Sequence, residues 1–279
     1  MANNEIGVYM ECTGFSDPAK ALPAIKELGL AVAQVSQLPG EFYSEEGVQR
    51  FRALLEEAGV RAAATTIVHE GERYDDWPTV RRTVGYVPRE FRAARVAYSH
   101  KVIDFTAAIG CRYVTTHIGE PPHDPKDPDY GALVDIVREL GQHCAELGLR
   151  FGLETGQESG RALMGFIGRV GLDNVGVNFD PANIILYDTD DPLSALDEVA
   201  PRLFGVHCKD GLRPTQPEAL GTEVLLGQGE ANLCACVRKA VRLGYEGPLM
   251  LEIYADDDRE EALSQGKAFL EECLARVER

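Results

Sequence analysis

Eight alternations of strand-like and helix-like segments predict one α/β domain over residues 1–279, a (β/α)8 TIM barrel. Three observations carry that prediction. Short apolar runs rich in Val, Leu, Ile and Phe recur along the chain, each of strand length, and amphipathic stretches separate them. Gly29, Gly59, Gly110, Gly148 and Gly244 each follow a helical run, where a left-handed C-cap favours glycine. Four late runs also break on a side chain that can bind metal, and in a parallel barrel all strand C-termini open on one face.

In order, the expected strands are 5–10 (EIGVYM), 30–36 (LAVAQVS), 61–69 (RAAATTIVH), 113–119 (YVTTHIG), 149–155 (LRFGLET), 175–180 (VGVNFD), 203–209 (LFGVHCK) and 247–253 (GPLMLEI). The expected helices cover 18–28, 44–58, 89–109, 131–147, 159–170, 192–200, 230–243 and 259–277. The acidic run Asp256-Asp257-Asp258, with Glu260 and Glu261, suits the start of the last helix, where the dipole favours acids. A doubly wound open sheet is the alternative. However, YMECTGFSDP after the first strand has a single glycine, so a dinucleotide fingerprint is absent.

Two connections are long: HEGERYDDWPTVRRTVGYVP after strand 3 and GLRPTQPEALGTEVLLGQGE after strand 7. Both leave the strand ends where barrel enzymes place specificity loops, so they are expected to close over a pocket. The first holds the only tryptophan, Trp77, with Tyr74 and Tyr86.

Composition narrows the function. A net charge of −17, from 45 acidic against 28 basic residues, opposes nucleic-acid binding, which rests on neutralising phosphates. No apolar stretch reaches membrane-spanning length, and MANNEIGVYM lacks the pattern of a secretory signal. The seven cysteines form no CxxC pair and read as reduced core residues of a cytoplasmic protein rather than a disulfide frame.

The four breaks are Glu154 in FGLETG, Asp180 in VGVNFDP, His207 in LFGVHCKD and Glu252 in LMLEIY. Singly, each has an ordinary explanation: Glu154 as a solvated strand end, Asp180 as a helix N-cap, His207 as a core histidine, Glu252 as a rim ion pair. Together they are the oxygen and nitrogen ligands of one divalent ion, because buried charges are rare unless paired or metal-bound. Parity supports inward pointing: Gly152 shares the face of Glu154, Gly205 that of His207, and Gly176 and Asn178 that of Asp180. The donor set, without thiolate, suits Mn²⁺, Mg²⁺ or Co²⁺, with Zn²⁺ as a further option. His117 ends strand 4 on the same face and is expected to bind substrate. His69 at the end of strand 3 has a weaker claim to that role, and Lys209 shares the parity of His207 but competes with a surface reading.

These residues resemble the sugar-phosphate isomerase/epimerase, or xylose isomerase-like, TIM barrels over nearly the whole chain. The marks are FGLETG, NFDPANIILY, VHCKD, GQGEANL and GYEGPLMLEIY. The similarity to ketose 3-epimerases implies that Glu154, Asp180, His207 and Glu252 bind Mn²⁺, Mg²⁺ or Co²⁺ and that Glu154 and Glu252 act as acid and base. It also implies a substrate-binding arginine six residues after the strand-7 histidine, where Arg213 stands. Two positions depart from the pattern. Asn183 replaces a strand-6 histidine, keeping hydrogen bonding but not an imidazole's chemistry, and Gly160 stands where a glutamate is expected, with Glu158 nearby.

The expected function is a metal-dependent isomerase or epimerase of a small sugar, ketose or related hydroxy-carbonyl compound, working through a metal-stabilised enediolate. His117, Asn183, Arg213, His69 and Trp77 are the expected substrate contacts. The expected partner is a small sugar, with neither nucleic acid nor membrane, and self-association is left open. Lyase or dehydratase chemistry, or sugar recognition without catalysis, are the alternatives. The related three-zinc endonucleases fit less well, because Asn183 replaces a needed histidine and the charge opposes a DNA groove.

Overall fold

A computed structural model describes residues 4–256 and 258–277. Eight parallel strands close into a barrel in the order β1 (Ile6–Tyr9), β2 (Val32–Val35), β3 (Arg61–Ile67), β4 (Tyr113–Thr116), β5 (Arg150–Glu154), β6 (Val175–Phe179), β7 (Leu203–Cys208) and β10 (Leu249–Leu251), which returns to β1. The TIM barrel read from the sequence is therefore the observed fold. A separate antiparallel hairpin, β8 (Asp210–Leu212) and β9 (Thr222–Val224), lies within the long strand-7 connection.

Ten helices are described: α1 (Pro18–Glu27), α2 (Glu45–Ala58), α3 (Trp77–Thr83), α4 (Arg92–Ala108), α5 (Pro128–Glu146), α6 (Gly160–Val170), α7 (Pro181–Leu186), α8 (Pro192–Val199), α9 (Leu233–Arg242) and α10 (Arg259–Ala275). Four begin at an Asp-Pro pair, with Asp17, Asp127, Asp180 and Asp191 as N-caps accepting backbone N–H groups and proline in the first turn. The five helix-closing glycines all take positive φ, as at Gly59, which caps α2 with φ 65°. Asp258 caps α10 as the acidic run predicts, while Asp257 lies outside the described residues.

Three expectations are corrected. Helices α3 and α7 occupy stretches read as loops, each signalled by an aspartate cap with a proline in the first turn. The strand-7 connection folds into a hairpin tied at its base: the Asp210 carboxylate accepts N–H groups from Gly211, Gly227, Gly229 and Ala231 at 2.9–3.1 Å. A side chain at Gly229 would collide with that carboxylate. Finally, Cys234 and Cys273 form a disulfide between α9 and α10, with Cα atoms 5.2 Å apart, instead of two core thiols. Packing of the two helices brings the pair together, and a separation of 39 residues carries no sign of it. The other five cysteines are buried and free.

The two long connections meet. Trp77 donates its backbone N–H to the Glu218 carbonyl at 3.1 Å, and Trp77, Val80, Val84, Tyr187 and Leu220 form a small apolar cluster of their own. Among the described residues, no helix is long and apolar enough to cross a membrane.

Candidate metal centre

Parallel pairing brings the ends of β5, β6, β7 and β10 to one mouth of the barrel. Glu154 is the last residue of β5, His207 lies one from the end of β7, and Asp180 and Glu252 directly follow β6 and β10. Each offers one ligand atom, and these atoms lie within 4.8 Å of one another. Exposure is 3%, 0%, 1% and 8% for Glu154, Asp180, His207 and Glu252, so these are buried charges that need partners.

Neighbours orient each side chain. Asp180 Oδ1 accepts the N–H groups of Ala182 (2.8 Å) and Asn183 (3.1 Å), as a helix cap does. Its other oxygen, Oδ2, has no hydrogen bond and sits 3.9 Å from the Lys209 ammonium. Cap and candidate ligand are thus two oxygens of one residue. Glu154 accepts amide hydrogens from Asn178 (3.2 Å) and Asn183 (3.1 Å), with His117 Nε2 3.5 Å away. His207 Nε2 lies 3.0 Å from Gln34 Oε1, while the Gln34 amide nitrogen donates to Thr66 (2.7 Å) and Thr115 (3.3 Å). That bonding puts the hydrogen on Nε2 and turns Nδ1 toward the carboxylates.

Nδ1 stands 2.6 Å from Glu252 Oε2 and 3.3 Å from Glu154 Oε1. Nevertheless His207 Nδ1, Glu252 Oε2 and Asp180 Oδ2 all lack a directed hydrogen bond. Once Nδ1 gives up the proton that Glu154 and Glu252 hold on it, three acceptors converging from three strands fit a divalent cation, and the donor set is one that Mg²⁺, Mn²⁺ and Co²⁺ take.

Burial disfavours charge at His207, but Glu154 and Glu252 hold its pKa well above the usual imidazole value. Burial likewise opposes the carboxylate of Glu252, yet Lys209 and His207 keep it below the usual range. Glu154 is lowered against burial by His207 and His117. Asp180 is pushed up to about 7, chiefly by burial and despite Lys209.

Above the cluster is a cavity of about 430 Å³. Its polar walls include Glu11, Glu72, Glu223 and Lys209, and its aromatic walls include Tyr9, Tyr74, Tyr187 and Tyr254. Of the expected substrate contacts, His117 and Asn183 line it. The other three do not. β3 ends at Ile67, and His69 turns into the core against Tyr86 and Tyr98, its ring nitrogens unpartnered. Trp77 opens α3 and stacks on Tyr187 with centroids 5.1 Å apart, behind the cavity wall. Arg213 leaves the hairpin outward, its guanidinium on Asp188 and the Asp190 carbonyl. Glu158 lines a different surface cavity near His123, where burial and Glu120 raise it to about 8.

Sequence reasoning missed Glu11, Glu72 and Glu223, and it placed Lys209 at the pocket rim with the surface as the competing view. Lys209 is instead buried, with Nζ 3.0 Å from Glu252 Oε1. Its parity with His207 was the available signal.

The family model of the xylose isomerase-like TIM barrel matches residues 22–273. The chain belongs to that family. Among solved structures, this xylose isomerase-like barrel is similar to a xylose isomerase domain protein from Planctomyces limnophilus: 35% identity, 98% of each chain covered, TM-score 0.90. A xylose isomerase-like TIM barrel protein from Mycobacterium smegmatis, solved in complex with magnesium, is 21% identical, with 99% of this chain and 98% of that one covered and a TM-score of 0.77. An L-ribulose 3-epimerase is 17% identical, with 99% and 96% covered and a TM-score of 0.76. At those identities the latter two show the fold. No functionally curated protein matches the chain.

Proposed function

We propose that this protein is a divalent-metal-dependent isomerase or epimerase of a small, unphosphorylated sugar, ketose or related hydroxy-carbonyl compound. The observation that carries this reading is the convergence of Glu154, Asp180, His207 and Glu252 at the floor of a cavity walled by glutamates and tyrosines. When bound, a divalent ion supplies Lewis-acid polarisation of a carbonyl and its neighbouring hydroxyl.

The chain's own residues account for the rest. Glu154 and Glu252 stand on β5 and after β10, with β6 and β7 between them, so they approach a substrate carbon from different sides. Both are held ionised, so one can remove the proton beside the carbonyl and keep it for return to the neighbouring carbon, while Glu252 can relay a proton from the Lys209 ammonium to the opposite face. Lys209 donates to Glu252 and can also donate to a substrate oxygen. His117 and Asn183 reach hydroxyls on the Glu154 side. Tyrosine rings cover the C–H faces of a sugar.

The walls also argue for a neutral substrate. Glu11, Glu72, Glu154, Glu223 and Glu252 line the cavity against two cations, Lys209 and His207, both paired with Glu252. A phosphate dianion would meet repulsion there. Support from relatives is of the same kind: the L-ribulose 3-epimerase and a D-allulose 3-epimerase from Methylomonas share the fold, and the Mycobacterium protein was solved with magnesium. Lys209 also favours a second reading, elimination of water, since a buried ammonium can protonate a departing hydroxyl.

The test is Glu252→Gln loaded with Mn²⁺ and given a panel of ketoses and inososes in D₂O. Wild-type protein is expected to incorporate deuterium at the carbon beside the carbonyl, and the variant to lose it while remaining folded. A wild type that incorporates none with any compound rejects the proposed chemistry, and a variant as fast as wild type rejects the role of Glu252.

A further inference from the structure

At the opposite mouth, the N-terminal ends of the strands enclose a second cavity of about 470 Å³ that shares no lining residue with the first. Its inner end is Tyr113. Gly152 and Gly205 leave room for that ring, because a side chain on either would collide with it. The Tyr113 hydroxyl has one long hydrogen bond, 3.4 Å to Asn178 Oδ1. Phe204, Tyr245, Pro248 and Met250 supply apolar wall.

The charged lining consists of Arg112 and Arg150 alone. Arg112 directly precedes β4 and Arg150 opens β5, the Arg150 N–H bonded to the Arg112 carbonyl at 2.9 Å, and both residues are exposed at the mouth. The Arg112 guanidinium lies over Gly148, where a Cβ would be 3.3 Å away, and Arg150 stacks on the Phe204 ring at 4.9 Å. Neither pairs with a carboxylate among the described residues, although the chain carries 45 acids and ten of its other arginines form such ion pairs. Two like charges held at one apolar mouth without a counter-ion favour an anionic guest.

The geometry points to a second ligand site here, for a small organic carboxylate with an apolar body. The carboxylate sits between Arg112 and Arg150, the body packs on Phe204, Tyr245 and Met250, and the Tyr113 hydroxyl meets a polar group at the inner end. A bare inorganic anion would leave the apolar walls unused. Two arginines on a chain of net charge −17 do not make a nucleic-acid surface.

The experiment uses the full chain and phenylacetate as probe, followed by calorimetry and ligand-observed NMR, with phenylacetamide, acetate and inorganic phosphate as comparisons. Phenylacetate is expected to bind saturably, and the other three about tenfold more weakly or worse. Arg112→Gln/Arg150→Gln, checked for an unchanged melting temperature, is expected to lose at least about tenfold in phenylacetate affinity. Three outcomes overturn the proposal: no saturable binding of phenylacetate or of 4-methylvalerate up to about 10 mM, binding that the double variant retains in full, or phosphate binding as tightly as phenylacetate. A variant that melts early is replaced by Phe204→Leu, which keeps both charges and is expected to weaken phenylacetate while leaving acetate unchanged. Equal phenylacetate affinity in that variant also overturns the site.

Discussion

Gln34 accepts a hydrogen bond from His207 Nε2 at 3.0 Å, and that bond decides which ring nitrogen faces Glu154 and Glu252. Thr66 and Thr115 hold the amide the right way round. A residue on β2, far in sequence from all four candidate ligands, therefore orients the ring of one of them.

Gln34→Leu is expected to remain folded and to weaken Mn²⁺ binding about 10- to 100-fold, the usual effect of losing an orienting partner behind a metal-bound histidine. Calorimetric titration of metal-stripped protein measures it. Unchanged affinity would mean that packing alone orients the His207 ring.

Metal binding is expected to release a proton near pH 7. His207 is held protonated by Glu154 and Glu252, and Asp180, at about 7, is partly protonated. A cation at Nδ1 and Oδ2 displaces those protons, so affinity must rise with pH until both groups are deprotonated. Titrations in buffers of different ionisation enthalpy give the proton count. A count of zero at pH 6.5 would contradict the protonation states argued here.

Lys209→Met is expected to lower turnover, or deuterium exchange on an accepted substrate, by roughly 10²–10³-fold. Its Mn²⁺ affinity should stay within a few-fold of wild type, because the ammonium contacts the ligands without being one. Loss of metal with activity per bound metal unchanged would make Lys209 a structural counter-charge only.

His69 gives the protein an acid-sensitive point away from the site. Burial and Arg95 lower its pKa to about 3, below the ordinary value of 6.5. The unfolded chain takes up a proton that the folded one refuses, so stability is full above pH 6.5 and falls as pH drops through that window toward 3. At pH 5 the loss is about 2 kcal/mol. His69→Phe should flatten this part of the melting-temperature profile between pH 7.5 and 5, and a variant profile parallel to wild type would refute it.

The barrel and the convergence of four candidate ligands were legible because period-two alternation and strand ends are local signals. Glu154, Asp180, His207 and Glu252 need only their own strands to be recognised. That Arg213 and Trp77 lie outside the cavity lining was not legible for the opposite reason: their direction depends on the hairpin β8–β9 and on α3, whose geometry the surrounding loops decide. Lys209 had the right parity, but burial of a lysine depends on Glu252 and Asp180 standing beside it. Glu11 and Glu223 reach the cavity from a short 3₁₀ turn and a hairpin, where no periodicity marks an inward side chain.

The four candidate ligands occupy strand positions or the residue directly after, fixed by the barrel ladder, whereas Glu72, Tyr74, Leu220 and Glu223 come from the two long connections. Those connections touch each other at Trp77 and Glu218. Mutation can therefore rewrite the upper wall while the ion-binding geometry stays intact, provided changes in one connection are matched in the other. Diversification of substrate on this scaffold would then proceed through paired loop changes, and a loop graft from a relative should be made as both segments or not at all.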